Sequence, residues 1–374
     1  MQNGPAKTSI VPLAVLVAFV GAVWYYVFPL VLVSQIDRNT TSSGTGSARL
    51  FPVDIGYKWG FIDGTGRVVV PPQFDDVGKF SEGLCPVRSR GETAYIDESG
   101  KIALRVEKPI YAENFSDGLA EAETAKALWG YIDRSGNFAI PAQFQRVTPF
   151  TEGVASVGKN LGEDWYTIDK KGTRLTITPP DAEFPGLVEF SEGLGECTLK
   201  TGLVGYIDLA GHWVIPPTFN LAGNFSEGLA YAKPLGKRAR WGYINRQGRW
   251  EIEPRFLEAG PFSEGLAAVR VLSFSIPPSR VGFIDRSGRM IIAPVFHHAQ
   301  PFCGGLAAVE SGGKMGYVDK TGRIAVPLKF HLGRDFAGPL AYVNTIDNNG
   351  RYHPAYINKK GEVVWASPDV VHDE

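Results

Sequence analysis

The sequence has few of the residues that assemble metal, redox and disulfide sites. Its 374 residues include three cysteines, three methionines and six histidines. Three cysteines with no C-x-x-C pair argue against a disulfide framework and against a cysteine-based zinc or redox motif. There is no H-E-x-x-H pair, no phosphate-binding G-x-x-x-x-G-K-(S/T) loop and no G-x-S-x-G elbow. We therefore predict no catalytic residue, no metal site and no cofactor, and expect a protein that is not an enzyme.

The sequence also lacks an excess of charge of one sign. It contains 38 basic and 39 acidic residues, for a net charge of −1. Nucleic-acid-binding domains carry a basic excess or patch, so we predict no nucleic-acid partner. No window shows sustained helical periodicity, whereas 44 glycines and 26 prolines accompany many aromatic residues. This composition is typical of short strands joined by tight turns.

Internal repetition is the dominant feature of the chain. The phrase F-x-x-G-(L/V) recurs from Phe80 to Phe302, and a degenerate copy covers 336–340. A second phrase consists of an aromatic residue, an aliphatic residue, Asp or Asn, two polar residues and Gly. Its period is roughly 37 residues, within the range that indicates an array of one supersecondary unit. Its final glycines are Gly66, Gly100, Gly136, Gly172, Gly211, Gly248, Gly288, Gly322 and Gly361.

Each unit is predicted to contain four short strands, here called a, b, c and d. Examples are 266–271 for strand a, 241–244 for b, 249–253 for c and 256–262 for d. The Asp-x-x-Gly step between b and c predicts a type I turn closed by a residue with positive φ. Proline pairs after strand c are predicted to end its pairing.

The repeated acids are interpreted as turn residues, because Asp has a local hydrogen-bonding reason to start a turn. The same interpretation applies to the Glu of F-S-E-G-L, whose side chain is expected to face water or to cap backbone groups. The phenylalanine of that phrase is predicted to anchor the core. These acids are Asp63, Asp97, Asp133, Asp169, Asp208, Asp285, Asp319, Glu82, Glu152, Glu192, Glu227 and Glu264.

Trp59-Gly60, Trp129-Gly130 and Trp241-Gly242 each run into (F/Y)-I-(D/N)-x-x-G, and V-I-P-P-x-F and F-S-E-G-L follow. This order of motifs resembles the WG-repeat proteins. The resemblance implies a bacterial all-β repeat protein that acts as an interaction module, and it brings no catalytic residues. Some repeats lack the Trp, and at residues 93–94 and 354–355 both the Trp and the Gly are replaced. We expect those units to keep the fold and to lose local packing.

The predicted fold class is all-β, with tandem repeats of short β-meanders. Nine copies of the second phrase exceed the four to eight blades of most propellers. We predict a propeller-like ring, and the alternative is an open β-solenoid or superhelical array.

Residues 10–33 form the one long apolar run. As a helix this run would extend roughly 36 Å, enough for a hydrocarbon core of about 30 Å. We predict a short tail (1–9), a transmembrane anchor (Ile10 to Val33), a flexible Ser/Thr/Gly linker (34–48), the repeat domain (49–366) and a C-terminal tail (367–374). Lys7 before the run favours an extracytoplasmic repeat domain, periplasmic or at the cell surface. The alternative is secretion after signal cleavage.

The connection between strands a and b varies most from unit to unit. Variable loops on a rigid repeat commonly form the recognition surface. We therefore expect a membrane-anchored binding or scaffold protein with a protein or cell-envelope glycan ligand; the alternative is a glycan hydrolase with acids at a propeller mouth. The candidate ligand face consists of Lys237, Arg238, Arg240, Phe274, Arg280, Arg351 and Tyr352.

Overall fold

The computed structural model describes residues 50–368 except 108–110, 161–164, 178, 180, 183–187, 273–278 and 348. The predicted anchor (10–33) and linker (34–48) lie outside the described residues, as does most of the C-terminal tail. The described strands all belong to a compact unit that runs from Gly46 to Glu374. This part of the chain contains β-strands and no helix, so it holds no helix that could cross a membrane.

The described strands form nine consecutive antiparallel repeats. The first three repeats contain β1 (Phe51–Ile55), β2 (Lys58–Ile62) and β3 (Val68–Phe74); β4 (Asp76–Val77), β5 (Leu84–Ser89), β6 (Glu92–Asp97) and β7 (Ile102–Arg105); and β8 (Tyr111–Ser116), β9 (Leu119–Glu123), β10 (Trp129–Ile132) and β11 (Phe138–Phe144). The next three contain β12 (Arg146–Val147), β13 (Val154–Gly158), β14 (Trp165–Asp169) and β15 (Arg174–Leu175); β16 (Phe190–Ser191), β17 (Leu194–Thr198), β18 (Val204–Ile207) and β19 (Trp213–Ala222); and β20 (Leu229–Pro234), β21 (Trp241–Asn245) and β22 (Trp250–Phe256). The last three contain β23 (Glu258–Ser263), β24 (Leu266–Leu272), β25 (Ser279–Ile284) and β26 (Met290–Phe296); β27 (His298–Ala299), β28 (Leu306–Ser311), β29 (Lys314–Asp319) and β30 (Ile324–Phe330); and β31 (Leu332–Gly333), β32 (Leu340–Ile346), β33 (Tyr352–Asn358) and β34 (Val363–Ala366).

Most repeats pair their strands in the order d-a-b-c, which confirms the predicted meander. Among the described residues, the first repeat has strands a, b and c only. Strand β19 continues from c of the fifth repeat into d of the sixth, and therefore joins these two repeats in one seven-stranded sheet. The b–c turns also form as predicted. In the third repeat, for example, the Asp133 N–H donates to the Asn137 carbonyl, and Gly136 closes the turn with a φ of 81°.

The glycine of the Trp-Gly pair lies against a bulge in strand c. Between the pairs Trp241↔Phe256 and Tyr243↔Ile252 the register shifts. A Cβ on Gly242 would lie 2.5 Å from the Ile252 carbonyl oxygen, so only glycine fits there. The same close approach occurs at Gly60, Gly130, Gly205, Gly282 and Gly316.

The prediction that the proline pair ends strand c is wrong. Pro71 and Pro72 lie inside β3, and Trp59 pairs with Phe74 beyond them. A proline is tolerated at a bulge because its missing N–H is not needed in the ladder. Strand c therefore runs past the prolines to a buried phenylalanine.

Neighbouring repeats interlock through one aromatic pair. The ring of Tyr243 in strand b packs against Phe262 of the next repeat, with centroids 4.9 Å apart. The Tyr243 hydroxyl donates to the carbonyl of Gly260 in that repeat, at 2.8 Å. Both rings are fully buried, which confirms the phenylalanine as a core anchor. Equivalent pairs with ring-centroid separations of 4.7–4.9 Å are Tyr95–Phe115, Tyr131–Phe150, Tyr206–Phe225, Phe283–Phe302 and Tyr317–Phe336.

The last repeat contacts the first, so the array closes on itself. The Tyr356 hydroxyl donates to the Pro52 carbonyl at 2.9 Å, across 304 positions of sequence. Its ring lies 5.6 Å from that of Phe51, within a buried cluster that also includes Val53 and Leu340. This contact favours the propeller-like arrangement over the open array. Tyr356 bonds to strand a here because no strand d precedes β1 among the described residues.

We expect Gly242→Ala to destabilise the fold by about 2–3 kcal/mol, because the added methyl group overlaps a backbone carbonyl. Urea unfolding would measure this change. The matched control is Gly260→Ala, whose Cβ would meet no atom closer than 3.5 Å. Equal unfolding midpoints for the two variants would contradict the proposed role of the bulge.

The closing contact should also be the weakest junction between repeats, because it alone joins chain-distant elements and the first repeat has three strands. Native-state hydrogen exchange is the measurement. Amides of β2 and β33 should open at a lower free energy than those of β18 and β21 in the seven-stranded sheet. Uniform protection across all four strands would show that the junction is as stable as the others.

Candidate functional site

The meander gives each repeat two distinct edges. The a–b loops and the c–d connections lie at one edge, here called the a–b edge. The d–a corners and the b–c turns lie at the opposite edge, here called the corner edge. The chain enters strand β1 at Leu50, on the corner edge.

Repeated acids on the corner edge link one repeat to the next. The corner turn places Glu227 and Gly228 at φ values of 56° and 77°, the geometry of a two-residue hairpin. The Glu227 carboxylate accepts the N–H of Gly265, the equivalent glycine of the next repeat, at 3.0 Å. The other acid-to-amide bonds, of 2.6–3.0 Å, are Glu82–Gly118, Asp117–Gly153, Glu152–Gly193, Glu192–Gly228 and Glu264–Gly305.

Two further contacts reinforce several of the corners. The Ser226 hydroxyl donates to the Phe262 carbonyl of the next repeat at 2.7 Å. A cation from the next b–c turn then reaches the corner acid, as Arg134 does to Glu82 at 2.8 Å and Lys320 to Glu264 at 3.1 Å. We expected these side chains to face water or to cap backbone groups. The corner serines and acids do cap backbone groups, and those groups belong to the neighbouring repeat.

The turn aspartates behave as the sequence predicts. Asp285 Oδ1 accepts the N–H groups of Ser287 and Arg289, both at 3.0 Å. Hydrogen bonds from Thr65 and Arg67 lower the pKa of Asp63 to about 2, despite the opposing effect of burial. These carboxylates are already satisfied by backbone groups.

The candidate residues of the a–b edge fall into two groups. Lys237 and Arg238 are exposed in the loop between β20 and β21, and Arg240 is half-buried before β21. Arg280 lies in β25 of the adjacent seventh repeat, and its Nη1 donates to the Ser279 carbonyl at 3.1 Å. The sixth and seventh repeats therefore contribute neighbouring cations. Phe274 lies outside the described residues.

The other two candidates belong to the ninth repeat, which the eighth repeat separates from the seventh. Arg351 forms a 2.9 Å ion pair with Asp347, which also accepts its backbone N–H. The Tyr352 ring lies 4.3 Å from that of His331. The structure therefore does not bring the six described candidate residues into one cluster; it divides them between two sectors of the edge.

Exposed apolar side chains occupy the same edge. Tyr57 is 94 % exposed at the tip of the first a–b turn, with a φ of 63° that is unusual for a bulky residue. Leu235 and Leu272 are 61 % and 69 % exposed beside the loops of the sixth and seventh repeats. Sequence reasoning missed them because an apolar residue next to a strand resembles an ordinary core position.

Sequence reasoning also missed two titratable acids away from the turns. Glu121 and Glu196 occupy the third position of strand a, where other repeats have Pro86, Ser156 or Tyr231. Burial, with a smaller contribution from Glu113, raises the pKa of Glu121 to about 7. Burial and Glu189 raise the pKa of Glu196 to about 7. The signal was present in the sequence, as acids inside apolar strands.

No metal centre is apparent in the described part of the chain, where no three His, Cys, Asp or Glu residues are grouped to hold an ion. The three cysteines, all described, form no disulfide, and Cys85 and Cys197 are buried. Burial raises the pKa of the Cys85 thiol to about 12, which disfavours the reactive thiolate.

Raised carboxyl pKa values predict a loss of stability as the pH rises. Between about pH 4.5 and 7 the unfolded chain has released the Glu121 proton while the folded protein keeps it. We expect a decrease on the order of 3 kcal/mol in the free energy of unfolding over this window from Glu121. Urea unfolding at several pH values should show a shallower decrease for Glu121→Gln. The charge-matched control is Glu251→Gln, exposed in β22; identical pH profiles for wild type and Glu121→Gln would refute the prediction.

Comparison with solved structures supports the propeller-like fold. The structure described as a eukaryotic initiation factor matches with a TM-score of 0.57 and 9% identity, over 87% of this chain and 96% of that one. BamB from Moraxella catarrhalis (12% identity, 70% and 93% coverage) and Hsv2 from Kluyveromyces lactis (10% identity, 74% and 95% coverage) each give a TM-score of 0.35. No curated protein matches the chain in sequence.

A model of the WG containing repeat family matches six segments, 59–92, 129–160, 205–237, 241–272, 282–314 and 315–349. Each segment contains or begins with a glycine that lies against a strand-c bulge. The three repeats whose strand b lies outside these segments have Ala94, Tyr166 or Ala355 at that position. Because the six segments cover more than half of its length, the chain belongs to the WG containing repeat family.

Proposed function

We propose that this chain is a non-catalytic binding or scaffold protein whose ligand contacts the a–b edge. One observation carries the proposal: the residues that recur from repeat to repeat are already used to close turns or to join repeats. Corner acids bind the next repeat's amides, turn aspartates bind their own turns, and aromatic rings fill the junctions. The side chains left for recognition are those that differ between repeats.

The a–b edge offers a surface of cations and exposed apolar tips. Lys237 and Arg238 project beside Leu235, and the next repeat adds Arg280 and Leu272. Aromatic or aliphatic anchors bordered by arginine are typical of binding surfaces. This combination suits an acidic protein surface or an acidic cell-envelope glycan.

We further propose that residues 10–33 hold the protein in a membrane, with the repeats outside the cytoplasm. The length and apolar character of this run support the proposal. The chain enters β1 on the corner edge, opposite the a–b loops.

The alternative of a glycan hydrolase is supported by Glu121 and Glu196. A carboxyl with a pKa near 7 can serve as a general acid, and each of the two has a neighbouring carboxylate that raises its pKa, Glu113 for Glu121 and Glu189 for Glu196, as in the carboxyl pair of a glycosidase. Hydrolysis of a panel of envelope glycans by the wild type, lost in Glu121→Gln or in Glu196→Gln, would establish this alternative and overturn the non-catalytic proposal.

Proximity labelling by the full chain in its own cells tests the binding surface. The test variant replaces Lys237, Arg238 and Arg240 with alanine. The matched control replaces Lys101, Arg249 and Arg323, three exposed cations that follow b–c turns on the corner edge. We expect the test variant to lose at least about tenfold in labelling of the main partner, and the control to keep it.

Both variants remove three positive charges, so a nonspecific charge effect would lower labelling in both. Circular dichroism would verify that both are folded. Unchanged labelling by the folded test variant would show that this sector of the a–b edge is not the recognition surface.

A further inference from the structure

The fourth repeat has a large side chain at the position where the family glycine normally lies. Tyr166 occupies that position, directly after Trp165 in β14. Among the described residues, strand c of this repeat is β15, Arg174–Leu175, and it pairs with β14 without a register shift. In the six repeats that have the glycine, a bulge in strand c lies against it, so the space that this bulge fills is not closed in the same way here.

A cavity of about 380 Å³ lies at this place. It is lined by Gln143 and Phe144 from the third repeat and by Lys159, Trp165, Tyr166, Gly172 and Arg174 from the fourth. Its volume falls within the range of small-molecule sites in proteins. The cavity therefore has room for a ligand of one or two rings.

Arg174 is the residue that most distinguishes this cavity. It lies five positions after the turn aspartate, Asp169. The other eight repeats have an apolar residue at this position: Val68, Ile102, Phe138, Trp213, Trp250, Met290, Ile324 and Val363. A cation has replaced an apolar side chain only where the cavity opens.

The lining combines positive charge with aromatic surface. Lys159 and Arg174 are both exposed, and no acidic residue lines the cavity. The Arg174 guanidinium lies 4.6 Å from the centre of the Tyr166 ring, and Arg146 lies 4.4 Å from that of Trp165. These contacts hold both rings in place while Gln143 adds an amide that can donate and accept hydrogen bonds.

We propose that this cavity binds a sugar that carries an anionic substituent. Arginine and lysine would bind the carboxylate or phosphate through charge-assisted hydrogen bonds. The aromatic edges and the amide of Gln143 would contact the ring and its hydroxyl groups. The site shares no residue with the a–b edge candidates, so the two proposals can fail independently.

Isothermal titration of the full-length protein tests the proposal with three probes. Methyl β-glucuronide carries a carboxylate, glucose 6-phosphate carries a phosphate, and methyl β-glucoside is neutral. We expect at least one anionic probe to bind at least tenfold more tightly than the glucoside, and the better of the two identifies the substituent. Equal affinity for the glucoside, or no binding of either anion, would overturn the proposal.

Two variants locate the binding. Arg174→Ile installs the type of residue that the other repeats tolerate at this position, so the fold should be preserved, and the anionic probe should bind at least tenfold more weakly. Lys171→Ala is the matched control, because it removes an exposed cation of the same turn that does not line the cavity. Undiminished binding by Arg174→Ile, or an equal loss in both variants, would place the probe elsewhere.

Discussion

The fold depends on a buried ring from one repeat that inserts beside a buried ring of the next. A single meander of short strands has one exposed apolar face and cannot be stable in isolation. The pair formed by Tyr243 and Phe262 removes that face from water and, through the tyrosine hydroxyl, also satisfies a backbone carbonyl. Packing and hydrogen bonding therefore act at the same junction, and the corner acids add a polar link outside it.

Much of this arrangement could be predicted from the sequence because its causes are local. The repeat period, the Asp-x-x-Gly turns and the buried phenylalanines follow from residue types within a few positions of one another. The course of strand c was mispredicted because a proline that ends one strand can equally well form a bulge in another. Whether the proline ends the strand or forms a bulge depends on the residue opposite it in strand b, which here is Gly60. That residue is set by strand pairing and not by the neighbouring sequence.

The candidate site was less predictable for the same reason. Lys237 and Arg238 are exposed in a variable loop, but the sequence could not show that Arg351 is paired with Asp347 and lies in another sector. Glu121 and Arg174 were overlooked because each occupies a position that is ordinary in isolation. They become unusual only when the equivalent residues of the other repeats are superimposed, which requires the strand register.

The junction between the last and first repeats differs in chemistry from the others. Gly338 replaces the corner acid, Ala337 replaces the corner serine, and Gly64 takes the place of the turn cation. A Cβ on Gly64 would lie 3.1 Å from the Pro339 side chain, so apolar contact replaces the polar links. During folding, every other junction can form between segments adjacent in sequence, with little loop-closure entropy lost. The contacts of this closing junction, such as Tyr356–Pro52, span far more of the sequence than those of the other junctions, and they can form only when all the intervening repeats are in place. We therefore expect closure to be the last step of folding.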